Sequence, residues 1–105
     1  MSRLSVVLPA YNEEQILAKT CRTLKEILSF SEIEYELVFV DDGSSDKTWN
    51  VIEKVSKEDR NISGIHFSRN FGKEAAIIAG LAQASGDAVA VMDCDLQHPP
   101  ETLVK

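Results

Sequence analysis

The chain is poor in the residues that mark specialised architectures: 105 residues contain three prolines, five glycines and two cysteines. So little proline and glycine, with no repeat and no low-complexity segment, excludes a fibrous or disordered chain. Cys21 and Cys94 lack C-x-x-C spacing and histidine partners at ligand spacing, so a structural role as small buried side chains is expected of both. Long apolar runs are also missing. Residues 75–82 and 88–92 fall well short of the roughly 20 residues that cross a bilayer, and the start shows no signal-peptide pattern. A soluble, cytoplasmic chain is the expectation. Basic charge is scarce too, with 11 Lys and Arg scattered among 17 acids for a net charge of -6. No basic stripe faces a phosphate backbone, and nucleic acid is not an expected partner.

What is present is the make-up of one ordinary domain, 44% hydrophobic and 27% charged. A chain this long buries somewhat over ~60% of its unfolded surface. Leu4 to Leu8, ended by Pro9, reads as a buried parallel strand. Asn12 is placed to cap a helix carrying Leu17, Cys21, Leu24 and Leu28 on one face, with Glu13 and Glu14 in its first turn and its end near Phe30. Glu36 to Val40 forms the next strand, and Asp46 caps a helix with Trp49, Ile52 and Val55 inward. Asn61 to Phe67 is a shorter, more polar strand expected near an edge. Gly72 to Ala84 is a small-residue helix with Gly86 just past its end. Ala88 to Met92 is the fourth strand, and Pro99, Pro100 and Glu101 open a further helix.

Strand and helix alternate throughout, which implies an α/β fold with parallel strands, right-handed crossovers and helices on both faces. Ligands of such sheets bind outside the carboxyl ends of the strands. Four segments reach that rim: residues 9–13, 41–46, 68–73 and 93–98.

The first, PAYNEE, carries neither G-x-G-x-x-G nor G-x-x-x-x-G-K-[ST], so the common dinucleotide and triphosphate cradles are absent. Pro9 and Tyr11 either wall a flat base or pack on the following helix; Glu13 either accepts from base or ribose or complements the helix dipole. The second, VFVDDGSSD, sets two carboxylates at a strand end, where local propensity gives little reason for them. Asp41 or Asp42 is expected to touch a nucleoside, with Asp46 as a cap and a plain turn as the alternative. The third offers Arg69 and Lys73 at a helix N-terminus, against the dipole, which invites a phosphate or carboxylate partner; a solvated pair is the other reading. The fourth, VMDCDLQHPPE, is the sharpest. Asp93, Asp95 and Gln97 form an oxygen set suited to Mg²⁺ or Mn²⁺, ions that keep positions open for water and phosphate. His98 is read as a loop residue or a further ligand, and His66 and Trp49 as packing residues.

Taken together, LPAYNEE, VFVDDGSSDKT, FSRNFGKEAAIIAGL and VMDCDLQHPPE resemble the family 2 glycosyltransferases, in the branch that transfers sugars from nucleotides to polyprenyl phosphates, such as the dolichol-phosphate mannosyltransferases and bactoprenol glucosyltransferases. Cys94 stands where that branch usually has Ala. The resemblance implies a Rossmann-like, A-type sheet of order 3-2-1-4 and inverting, metal-dependent transfer from a UDP- or GDP-linked donor. By position, Pro9, Tyr11, Glu13 and Asp42 would contact the nucleoside, and Asp93, Asp95 and Gln97 would hold Mg²⁺ or Mn²⁺ on the diphosphate. Arg69 and Lys73 carry over less directly. Members continue for at least another hundred or so residues, about a domain's worth. Residues 1–105 are therefore expected to be the donor-binding N-terminal part, with any catalytic base and the acceptor contacts beyond Lys105. On this reading the part alone binds nucleotide and metal without turnover, the full-length protein works at the cytoplasmic face of a membrane, and the fourth strand's uncovered edge is open to self-association. A non-catalytic α/β interaction module and a transferase with a saccharide acceptor are the alternatives. A nucleotidyltransferase would need a Gly- and Arg-rich first loop, which PAYNEE is not.

Overall fold

The computed structural model describes residues 3–95. Gln97, His98 and the helix expected after Pro99 lie outside the described residues. The element order is β1 (Arg3–Ala10), α1 (Leu17–Phe30), β2 (Glu34–Asp41), α2 (Thr48–Glu58), β3 (Ile62–His66), α3 (Lys73–Gln83) and β4 (Ala88–Val91). All strand pairs are parallel, and the sheet order is β3-β2-β1-β4. The shorter third strand is at an edge, as its polarity implies. Among the described residues, no helix is long and apolar enough to cross a membrane.

Side chains alternate across the two central strands, so each strand feeds two cores. Val6, Leu8, Leu37 and Phe39 meet Leu17, Leu24 and Leu28 of α1 and Ile52 of α2. On the opposite face Val7, Val38 and Val40 meet Ala76 and the half-buried Ala79 of α3. The α3 contact is close because the helix offers small residues. A Cβ added at Gly80 would lie 2.3 Å from Val7 Cγ1, and Val7 is fully buried.

Pro9 lies inside β1 instead of ending it. The carbonyl of Val7 accepts from Met92 N–H on the β4 side, and Pro9, two residues on, faces that same side beyond the last paired residue of β4. Its missing donor therefore costs no ladder bond.

The start of α1 also differs from the sequence expectation. Asn12 does not cap it, and no acid occupies its first turn, since the helix begins at Leu17. Asn12 instead takes a left-handed conformation at φ 54°, which asparagine tolerates. Its Oδ1 accepts from Ser45 N–H at 2.9 Å and Asp46 N–H at 3.4 Å, while its own N–H donates to Ser44 Oγ. Glu13 N–H donates to Thr48 Oγ1 and Glu14 N–H to Asp46 Oδ2. Long-range hydrogen bonds thus take the groups that a local cap would have used. Lys47 takes the cap position of α2 in place of Asp46, whose Oδ1 nevertheless accepts from Thr48 N–H at 2.9 Å. Gly86 lies just past the end of α3, which Ala84 caps, and packs on β1, donating to Ser5 Oγ.

At the amino-terminal rim, Glu36 Oε2 accepts from Ser5 Oγ, Ser85 N–H and Ser85 Oγ, joining β1, β2 and the loop after α3. Burial works to raise its pKa, but these bonds and Arg3 prevail and hold the carboxyl below its ordinary 4.5.

Two outcomes follow. Gly80→Ala gains about 1 kcal/mol of helix propensity but drives a methyl into Val7 at an overpacking cost of about 1–3 kcal/mol. A net loss of roughly 1 kcal/mol is expected in urea unfolding, and a gain would contradict the close packing of α3. Glu36, with its folded pKa depressed, contributes stability that is present above about pH 4.5 and lost as pH falls through the folded value. Unfolding midpoints measured between pH 6 and pH 3 should fall less steeply for Glu36→Gln than for the parent, starting about 1–2 kcal/mol lower at neutral pH.

Candidate functional site

The carboxyl ends of the strands open into a cleft of about 310 Å³ lined by Pro9, Ala10, Tyr11, Glu13, Asp42, Lys73, Asp93, Cys94 and Asp95. The first loop supplies Tyr11, which is 47% exposed and so keeps a free aromatic face, and Glu13. Burial first, and then the charges of Asp95, Asp46 and Asp93, raise the Glu13 carboxyl above its ordinary 4.5. That crowding is the electrostatic signature of acids from three loops meeting in one place.

Of the two adjacent acids after β2, Asp42 lines the cleft and Asp41 does not. Asp41 is buried, its Oδ1 accepts from Ser44 N–H at 3.0 Å, and its Oδ2 lies 3.4 Å from His66 Nε2 without a hydrogen bond. His66 in turn stacks on Trp49, ring centroids 4.5 Å apart, while about half of its side chain stays exposed. Asp42 ties down the third loop. Its Oδ1 accepts from the N–H groups of Phe71 and Gly72 at 2.8 and 3.2 Å, and its Oδ2 accepts from Asn70 Nδ2 at 3.1 Å. An internal carboxylate therefore sits at the entry to α3, where the dipole favours an anion. Gly43 follows at φ 70°, and a Cβ there would lie 2.1 Å from the Arg69 carbonyl carbon, so the two loops touch backbone to backbone.

The two cations of the third loop part ways. Lys73 reaches into the cleft and pairs with Asp93. Arg69 is not among the cleft residues; its guanidinium lies 4.6 Å from the centre of the Phe71 ring. In the fourth loop, Cys94 turns inward to the core between the two acids. Thr20 Oγ1, on the buried face of α1, donates to the Cys94 carbonyl at 2.6 Å and fixes the main chain there.

Sequence reading did not single out Thr20, Thr48 or Asn70. Thr20 left one signal, a hydroxyl on the apolar stripe of its helix, where an unpartnered polar group would be costly.

Asp93 and Asp95 offer hard oxygens, and among the described residues no group of three or more acid, histidine or cysteine side chains is arranged to hold a metal ion. The donor set fits a hard divalent cation that binds through one or two carboxylates and keeps other positions for phosphate and water. Gln97, the third expected ligand, lies outside the described residues.

Comparison with known proteins agrees with this architecture. The chain is 44% identical over 108 residues to the undecaprenyl-phosphate 4-deoxy-4-formamido-L-arabinose transferase of Proteus mirabilis, covering 98% of this chain and 32% of that one. It is 42% identical over 101 residues to the bactoprenol glucosyl transferase of Shigella phage SfV, covering 96% and 33%. The chain thus spans about a third of the length of these curated relatives. Among solved structures, the mannosyltransferase PcManGT of Pyrobaculum calidifontis, in complex with GDP-Man and Mn²⁺, superposes with a TM-score of 0.84 at 24% identity, over 98% of this chain and 30% of that one. TarS of S. aureus in complex with UDP-GlcNAc gives 0.73 at 30% identity, over 89% and 26%. The sheet is accordingly the incomplete A-type glycosyltransferase fold. The model of the glycosyl transferase family 2 matches residues 5–105, and the chain belongs to that family.

Proposed function

We propose that the chain supplies the donor-binding part of an inverting, metal-dependent glycosyltransferase that moves a sugar from a UDP- or GDP-linked donor to a polyprenyl phosphate at the cytoplasmic face of a membrane. The observation that carries the reading is the convergence of Tyr11, Glu13, Asp42, Lys73, Asp93 and Asp95, from four separate loops, on one cleft. The relatives named for undecaprenyl phosphate and bactoprenol support the acceptor class.

In this reading Tyr11 stacks on the base, and Glu13 and Asp42 accept from the nucleoside's N–H and hydroxyl groups. Asp93 and Asp95, with Gln97, hold Mg²⁺ or Mn²⁺. A divalent ion bound there supplies Lewis-acid stabilisation of the diphosphate's charge as the sugar departs. Lys73 places its ammonium toward the same diphosphate, and Arg69, earlier in the same loop, approaches it from outside. A phosphate monoester, with a second pKa of about 6, reaches the anomeric carbon largely as the dianion. It needs less help from a general base than a sugar hydroxyl would.

The first test is thermal. With Mn²⁺ and UDP or GDP at about 100 times the dissociation constant, ligand linkage adds about 2.7 kcal/mol, so Tm should rise by roughly 10 °C for a domain of this size. Asp93→Asn combined with Asp95→Asn should abolish the metal-dependent part of that rise. If no nucleotide moves Tm in the presence of either ion, the reading fails; binding indifferent to both substitutions would favour the interaction module. The reading also includes self-association through β4, whose Val89 and Val91 are 43% and 42% exposed at a sheet edge. Gel filtration should give an apparent mass that climbs with loading concentration, and a clean monomer at high concentration would refute it.

A further inference from the structure

Resting on the donor-site reading above, we infer that Lys73 is an exchange residue: its ammonium competes with the divalent cation for Asp93, and the cation's arrival turns the ammonium to the donor diphosphate. Among the residues lining the cleft there are four carboxylates, Glu13, Asp42, Asp93 and Asp95, and one cation, Lys73. A diphosphate entering this cleft meets like charge. The cation best placed to offset it is committed elsewhere, since Lys73 Nζ is paired with Asp93 Oδ1.

The partners differ in how freely they can move. Asp93 is the more enclosed, with 27% of its side chain exposed against 58% for Lys73. Its loop is also pinned, because Thr20 holds the Cys94 carbonyl and Cys94 is buried in the core. Asp42 already accepts from Asn70, Phe71 and Gly72, which hold its carboxylate against the third loop, away from the ammonium's present partner. Lys73, in contrast, is a long flexible side chain on the first residue of α3. The carboxylate stays and the ammonium moves.

Two consequences have opposite signs. Without nucleotide, Lys73 opposes metal binding, because the ion must displace it from Asp93 and then tolerate it nearby. With nucleotide, the displaced ammonium gains the diphosphate as its partner. Metal and nucleotide thereby strengthen each other's binding, and linkage makes that effect reciprocal.

The experiment uses this chain and the Lys73→Gln, Asp93→Asn and Asp95→Asn variants, with calorimetry for Mn²⁺ alone, for UDP and GDP at saturating Mn²⁺, and for the same nucleotides in EDTA. Lys73→Gln should bind Mn²⁺ alone about two- to fivefold more tightly, the range set by an exposed ion pair. At saturating Mn²⁺ it should bind nucleotide at least about threefold more weakly, a comparable charge contact having been lost. In EDTA, Asp93→Asn should bind nucleotide more tightly than Asp95→Asn, since only the former frees the ammonium; this comparison decides the matter should Lys73→Gln not fold. Unchanged or weaker Mn²⁺ binding by folded Lys73→Gln, unchanged nucleotide affinity, or equal gains by the two aspartate variants would each overturn the exchange. A parent chain that binds neither Mn²⁺ nor nucleotide would instead overturn the donor-site reading itself.

Discussion

A single buried carboxylate, that of Asp42, holds the loop after β2 to the loop before α3 through three donors. A parallel sheet brings its loops to one rim but leaves their spacing open. Here the spacing is set by polar bonds between loops. Asn12, Ser44, Asp46 and Thr48 lace the first loop to the second, Asp42 binds the second to the third, and Lys73 joins the third to the fourth. The fourth rests on α1 through Thr20. Those of Asp42, Thr48 and Thr20 are wholly or partly shielded from water, so losing one partner there would leave the other unsatisfied, which costs more than the bond itself contributes.

The sequence made the scaffold legible because each strand announces itself as a short apolar run. Val6 to Leu8 and Leu37 to Val40 are buried on both faces, and so they read as continuous hydrophobic stretches between helices of clear period. The helix start was misread for a physical reason. Asn12 followed by two glutamates satisfies every local rule for a cap, yet its side-chain oxygen is taken by amides more than thirty residues away. Local rules count only local competitors. The same limit blurred the pair after β2, where spacing could not tell that Asp41 turns under the sheet's edge toward His66 while Asp42 faces the cleft. Arg69 and Lys73 looked equivalent in sequence, and the difference came from Phe71, whose ring gives the guanidinium a place to lie outside the cleft.

The acids at the rim act on one another. Burial and its neighbours' charges lift Glu13, whereas Asp46, also resisted by burial, is drawn below its ordinary value because hydrogen bonds from Thr48 and Glu14 outweigh it. Two acids in adjacent loops thus take opposite shifts, one tied into the frame and one left facing the cleft. That contrast separates Asp46, which builds the rim, from Glu13, which faces the cleft.

The seam at Gly43 bears on how such a protein can diversify. Because main chain lies on main chain there, with no side chain between to absorb a change, adding or deleting a residue in either loop would pull the rim apart. A change in what this cleft accepts is then expected through side chains such as that of the exposed Tyr11, with loop length constant. The walls of this cleft can be refaced, but its frame has no slack to move them.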